Sequence, residues 1–218
     1  SEMCIRDSYH SIDFGRRKLH RRMEKKNKNY TYRTFKKGKS KCSERAGRRN
    51  NEVAIMWHIW TIDDWEKNID LTREGHRTGL RLRFDKDIDS EVRRACKEFA
   101  VFLRREYFFP IRVVVYIKNV KKLIAMDGDK VYGTFWSMYD DYNIEPHIRV
   151  AAGDYMDLCH KWGKDSALTA ILSTIAHELT HYFRWINALK LTPIGQERQA
   201  TNYARYILDE YAETREHP

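Results

Sequence analysis

The chain is sparing of the residues that cross-link, break or anchor a fold. Its four cysteines, at positions 4, 42, 96 and 159, include no CxxC pair. That spacing excludes a disulfide framework and a structural zinc ribbon, and it fits free thiols in a reducing cytoplasm. No apolar run approaches the ~20 residues of a membrane span, so a soluble, cytoplasmic protein without a membrane partner is expected. No secretory signal peptide is recognisable. Asp127-Gly128-Asp129 lacks the ligand spacing and closing Glu of a calcium loop, and reads as a turn.

One-sided charge is also missing from most of the chain. Residues 1–15 sum to −2 and residues 16–49, with sixteen Lys/Arg and two Glu, to +14; in a chain of +10 this leaves −2 for residues 50–218. The block 16–49, with Tyr30, Tyr32 and Phe35 interleaved, is a potential nucleic-acid arm; the plain alternative is a solvated tail. The opening SEMCIRDS resembles a translated sequencing-library adaptor, as in a metagenomic read-through. Residues 1–8 are therefore set aside, with Met23, Val53 and Met56 as alternative starts. Residues 9–52 form a basic segment that is disordered or non-native, and 53–218 a single domain.

What is present is concentrated at residues 177–181, H-E-L-T-H. The surrounding run from Ser166 has no Gly or Pro for more than twenty residues. Its apolar positions, Leu168, Ile171, Leu172, Ile175, Leu179 and Phe183, follow one helix face. Asp165 or Ser166 can cap its start. On a helix, His177 and His181 leave the same side and converge, as two zinc ligands must. Glu178 stands beside them to work on a metal-bound water. The plain alternative is a solvated helix face carrying two His and a Glu.

A catalytic zinc takes three protein ligands and keeps one position open. The metzincin pattern puts a glycine and a third histidine where this chain has Arg184 and Asn187, so that class is excluded. A second helix follows, with Thr192 as cap and Pro193 in its first turn. Among its acids, Glu197 shares a stripe with Ala200, Ala204, Leu208 and Tyr211, while Asp209, Glu210 and Glu213 lie off it. The small alanines favour close approach to the first helix. Glu197 is thus the candidate third ligand; as a surface carboxylate it would do nothing.

HELTH followed by E-R-Q-A-T-N-Y-A resembles the gluzincin metallopeptidases, above all the single-domain minigluzincins and the ImmA-type peptidases of mobile elements. The resemblance implies zinc held by His177, His181 and Glu197, with Glu178 as general base in peptide hydrolysis. It covers about the last 75 residues well. One departure is plain: where many gluzincins carry Asp or Asn four residues after the ligand Glu, this chain has Thr201, then Asn202. His160, Tyr203 and Tyr206 are candidate oxyanion donors; His58 and His147 read as structural. The C-terminal tail, Glu213 to Pro218 with His217, could fold back and make the peptidase latent. The competing reading is a non-catalytic, zinc-containing, nucleic-acid-associated or mobile-element factor.

The remaining pattern predicts an α+β fold of zincin type. It comprises a small, mostly antiparallel or mixed sheet, a backing helix, an active-site helix and a C-terminal glutamate helix. Residues 53–75, with Trp57, Trp60 and Trp65, form a short helical or irregular segment on the core. Strands are expected at 78–84, 111–117, 123–125, 131–136 and 146–153. A helix capped by Asp89 or Ser90 runs to about Tyr107, burying Cys96. Residues 146–151 are the candidate free edge for an extended peptide.

Overall fold

In the computed structural model, the described residues are 2–4 and 58–215. The basic block 16–49, the alternative starts, Trp57 and His217 lie outside them. Strand β1 is Glu2–Cys4, from the segment set aside above. Strand β2, Leu80–Phe84, leads into helix α1, Ser90–Glu106. The Asp89 side chain caps α1 by accepting from the Glu91 amide at 2.8 Å. Strand β3, Val113–Lys118, follows, then a hairpin of β4, Leu123–Ile124, and β5, Lys130–Val131, with the expected turn between them. Strand β6 is Gly133–Trp136 and β7 is His147–Ala151. Helices α2, Tyr155–Trp162, α3, Lys164–Ile186, and α4, Pro193–Glu213, complete the chain.

The fold is α+β with a mixed sheet in the order β1-β6-β7-β3-β2. Strands β2, β3 and β7 are parallel; β6 is antiparallel to β7, and β1 to β6. Alternation along the strands sends Val113, Val115, Ile117, Ile148, Val150 and Phe135 inward, each fully buried. Helices α1 and α3 cover that inner face. Ile59 and Trp60 join the same core, as the Trp-rich segment predicts. Trp60 Nε1 donates to Thr180 Oγ1 at 3.1 Å, and the Trp65 amide donates to Asn187 Oδ1 at 3.0 Å.

Three expectations need correction. Residues 147–151 are an interior strand, paired on both sides, so 146–151 is not the free edge. The reason lies at Gly133, where one predicted strand divides. Lys130–Val131 stays in the hairpin, while Gly133–Trp136 peels away to pair with β7. The metal helix begins at Lys164, and neither Asp165 nor Ser166 caps it. Gly163, at φ +85°, breaks the chain between α2 and α3 in a conformation that favours glycine. Helix α2 has no counterpart among the predicted elements; Tyr155, Leu158, Cys159 and Trp162 keep helical spacing, but over only eight residues, and Tyr155 alone is buried. No helix of the described residues is long and apolar enough to cross a membrane.

Candidate metal centre

Helix α3 is buried along almost its whole length, which fixes its side chains against movement. Tyr182 anchors it to the start of β3. Its hydroxyl donates to the Ile111 carbonyl at 2.7 Å and accepts from the Ile111 amide at 3.2 Å. Helix α4 starts where predicted, with Thr192 Oγ1 accepting from the Gly195 amide at 3.2 Å and Pro193 in the first turn. It packs on α3 through Ala200 and Ala204, buried to 0% and 2% exposure. Ile207, rather than Leu208, takes the next buried place, followed by Tyr211.

This packing brings three predicted residues together. His177, His181 and Glu197 each place one ligand atom within 4.8 Å of the others. The two Nε2 atoms are 3.2 Å apart. Glu197 Oε2 lies 3.3 Å from His177 Nε2, and Oε1 lies 3.4 Å from His181 Nε2. Two donors held tetrahedrally at about 2.0–2.1 Å from one ion stand about 3.3 Å apart, so the atoms are already spaced for a small cation. Two imidazoles and one carboxylate are also a donor set that divalent metals use. The trio is a group able to hold a metal ion.

The electrostatics suit that task. Burial pushes His181 down to about 4, against the pull of Glu197, so its imidazole is neutral and its lone pair available at pH 7. Burial would raise the Glu197 carboxyl. Hydrogen bonds and charge from His177 and His181 outweigh it and hold the group at about 2. The departure at Thr201 has a structural counterpart. His181 Nδ1 is buried and has no hydrogen-bond partner among the described residues, where a ligand His commonly donates to a carboxylate or carbonyl.

Glu178 is fully buried. The strand β6 passes directly over it at Gly133. A Cβ added there would stand 2.5 Å from Glu178 Oε1 and 2.7 Å from Thr174 Cγ2. Only glycine allows this approach, so Gly133 is a site residue that sequence reasoning missed. Its signal was a glycine within a strand pattern, which marks a close backbone approach. Arg184 is a second. It enters above only as evidence against a metzincin, yet it is 94% buried and in the electrostatic reach of Glu197. Burial lowers its pKa and the Glu197 charge opposes that. The available clue was helical phase, since position 184 is seven residues after His177 and three after His181, on the face of the two histidines.

The candidate oxyanion donors have the following surroundings. Tyr203 accepts from the Ile59 amide at 3.2 Å and packs its ring on His58. Tyr206 also packs on His58, and His160 is exposed on α2. Asn187, the other residue against a metzincin, clamps the N-terminal segment by bonding to the Trp65 amide and, at 3.4 Å, the Ile59 carbonyl. Cys96 is a core residue whose thiol is pushed up to about 12 by burial. Comparisons with protein-family models, curated proteins and solved structures return no match to this chain.

Proposed function

We propose that the chain is a zinc-dependent metallopeptidase of the gluzincin type. The observation that carries this reading is the convergence of His177, His181 and Glu197 at tetrahedral spacing, with buried Glu178 next in the chain to a ligand. Those donors would hold Zn²⁺, which would supply Lewis acidity and activate a water for attack. His177 and His181 would offer two ring nitrogens, and Glu197 the single carboxylate of the set. Glu178, turned under β6, accepts a proton from the attacking water and passes it to the departing amine. Its burial excludes bulk water from the proton it carries.

Strand β6 replaces 146–151 as the strand that borders the site, because Gly133 touches Glu178. Its outer side already accepts an extended segment: Glu2–Cys4 lies antiparallel, with Met3 opposite Phe135. Pairing through backbone groups makes few demands on side chains, which favours a peptide substrate. The test is hydrolysis of an unfolded protein, with and without chelator, alongside metal analysis. Glu178→Gln should retain zinc and lose about 10²–10⁴-fold in rate. Glu197→Ala should lose zinc. Full activity in the first variant, or unchanged zinc in the second, would overturn the reading.

A further inference from the structure

The inner face of the sheet packs against α3, which carries two residues of the metal group; the outer face carries a different chemistry. Side chains alternate across a sheet, so cross-strand register fixes which residues share that outer face. One row runs Arg81, Val114, His147, Trp136 and the next runs Arg83, Tyr116, Arg149, Thr134. Lys118 stands two residues beyond Tyr116, and Arg112 two before Val114. Within the described residues, the helices pack on the opposite face.

The charge there is unbalanced. Lys118 bonds Asp85 at 2.7 Å, and Glu145 is shared by Arg112 at 2.7 Å and Arg77 at 2.6 Å. Arg81 and Arg83 are exposed and have no acidic partner among the described residues. With Arg149 left out of the sum, Arg77, Arg81, Arg83, Arg112 and Lys118 against Asp85 and Glu145 leave +3 in a region, 50–218, whose own sum is −2. Aromatic rings are interleaved with the cations. Trp136 stacks on His147 with centroids 5.1 Å apart, and Tyr116 meets the same imidazole edge-on at 6.1 Å. Two concavities are formed on or beside this face. One of about 290 Å³ is lined by Tyr116, Lys118, His147 and Arg149. The other, of about 170 Å³, lies at its end beside Arg77 and Glu145.

We propose that this outer sheet face binds single-stranded nucleic acid. Guanidinium groups match phosphates, and rings on a sheet face, here exposed Tyr116 with half-buried Trp136 and His147, offer stacking partners to unpaired bases. The occupants nearest to hand do not fit. Residues 16–49, at +14, are repelled by this face, and a second copy of the chain would bring cation to cation. An acidic peptide satisfies the arginines but leaves Tyr116 and the Trp136–His147 stack unused. A duplex is less suited, because its base faces are already stacked inside. The site is independent of the peptidase reading and stands whether or not Glu178 is catalytic.

The test is fluorescence anisotropy of a labelled, mixed-sequence deoxyoligonucleotide titrated with the full chain. Arg81→Glu/Arg83→Glu/Arg149→Glu should weaken binding at least about 30-fold and flatten its salt dependence. Tyr116→Ala should weaken it about tenfold with the salt slope unchanged. Arg81→Gln/Arg83→Gln, at two exposed positions, repeats the charge test with minimal risk to folding, and matching melting temperatures verify it. Ultraviolet crosslinks should map to Tyr116 or Trp136. Parent-like binding in all three variants, or crosslinks confined to 16–49, would overturn the proposal. So would displacement by polyglutamate as effective as by unlabelled strand, with Tyr116→Ala silent, which would assign the face to an acidic protein.

Discussion

The two faces of this sheet share the same strands and the same backbone bonds, and differ only in which alternate residue each strand sends their way. Inward go Val113, Val115, Ile117, Ile148, Val150 and Phe135, all without exposed surface and under two helices. Outward go arginines, a lysine and three rings that no helix of the described residues covers. The inner face supplies the stability that lets α3 hold two imidazoles at fixed separation. The outer face is only partly buried: Arg81, Arg83 and Tyr116 are exposed, while Thr134 and Ala151 are buried. Truncation tests that division most directly. Phe135→Ala should cost about 3–5 kcal/mol in denaturant unfolding, because it removes a filled ring position and leaves a cavity. Tyr116→Ala, two strands away on β3 and exposed at 39%, should stay within about 1 kcal/mol. Comparable losses from the two would mean that the outer face is covered.

The contrast also explains what could be read in advance. Helices α1, α3 and α4 were legible because apolar spacing, caps at Asp89 and Thr192, and Pro193 all agree. The trio of His177, His181 and Glu197 was legible because helical phase is local: four residues return to the same side, and a stripe selects one acid from four. Sheet order was not legible, since strand neighbours are set by packing across the chain. Placing β6 outside β7 depends on Gly133 fitting over Glu178, a contact between residues 45 apart. The basic face escaped notice for a related reason. Its cations alternate with buried residues, so any sum along the sequence averages them away, whereas 16–49 announces itself as a block.

Gly133 is where the inner face meets the site, so a methyl group there sharpens the comparison further. Gly133→Ala would place Cβ 2.5 Å from Glu178 Oε1, and either the carboxylate or β6 must move. Overpacking of this kind costs about 1–3 kcal/mol. Hydrolysis should fall at least about tenfold, because a base displaced by a fraction of an ångström loses reach to its proton. Zinc content should be unchanged, since none of the three ligands is touched. Unaltered activity would show that β6 does not constrain Glu178. A gentler version acts on the other anchor of α3. Tyr182→Phe leaves the Ile111 amide and carbonyl without their buried partner, and should cost about 1–2 kcal/mol by thermal or denaturant unfolding.

The smallest expected effect comes from His58, a polar ring set on the helix side of the core. It packs against Tyr107, Tyr203 and Tyr206, and neither ring nitrogen has a hydrogen-bond partner among the described residues. Burial lowers its pKa below 6.5, with the Glu210 charge pulling the other way. The sign then follows from proton binding. Between the lowered folded value and 6.5 the unfolded chain holds more protons, so stability falls as pH drops through that window. Above 6.5 both states are neutral at this site and the contribution is flat. His58→Phe keeps a ring among the tyrosines and removes the titration. Unfolding curves on metal-free protein should therefore show a shallower loss between neutral and mildly acid pH in the variant than in the parent. An arginine substitution on the outer face, at Arg83, should leave that slope untouched. Equal slopes in the His58 variant and the parent would place the acid sensitivity in other groups, the buried imidazole of His181 first among them.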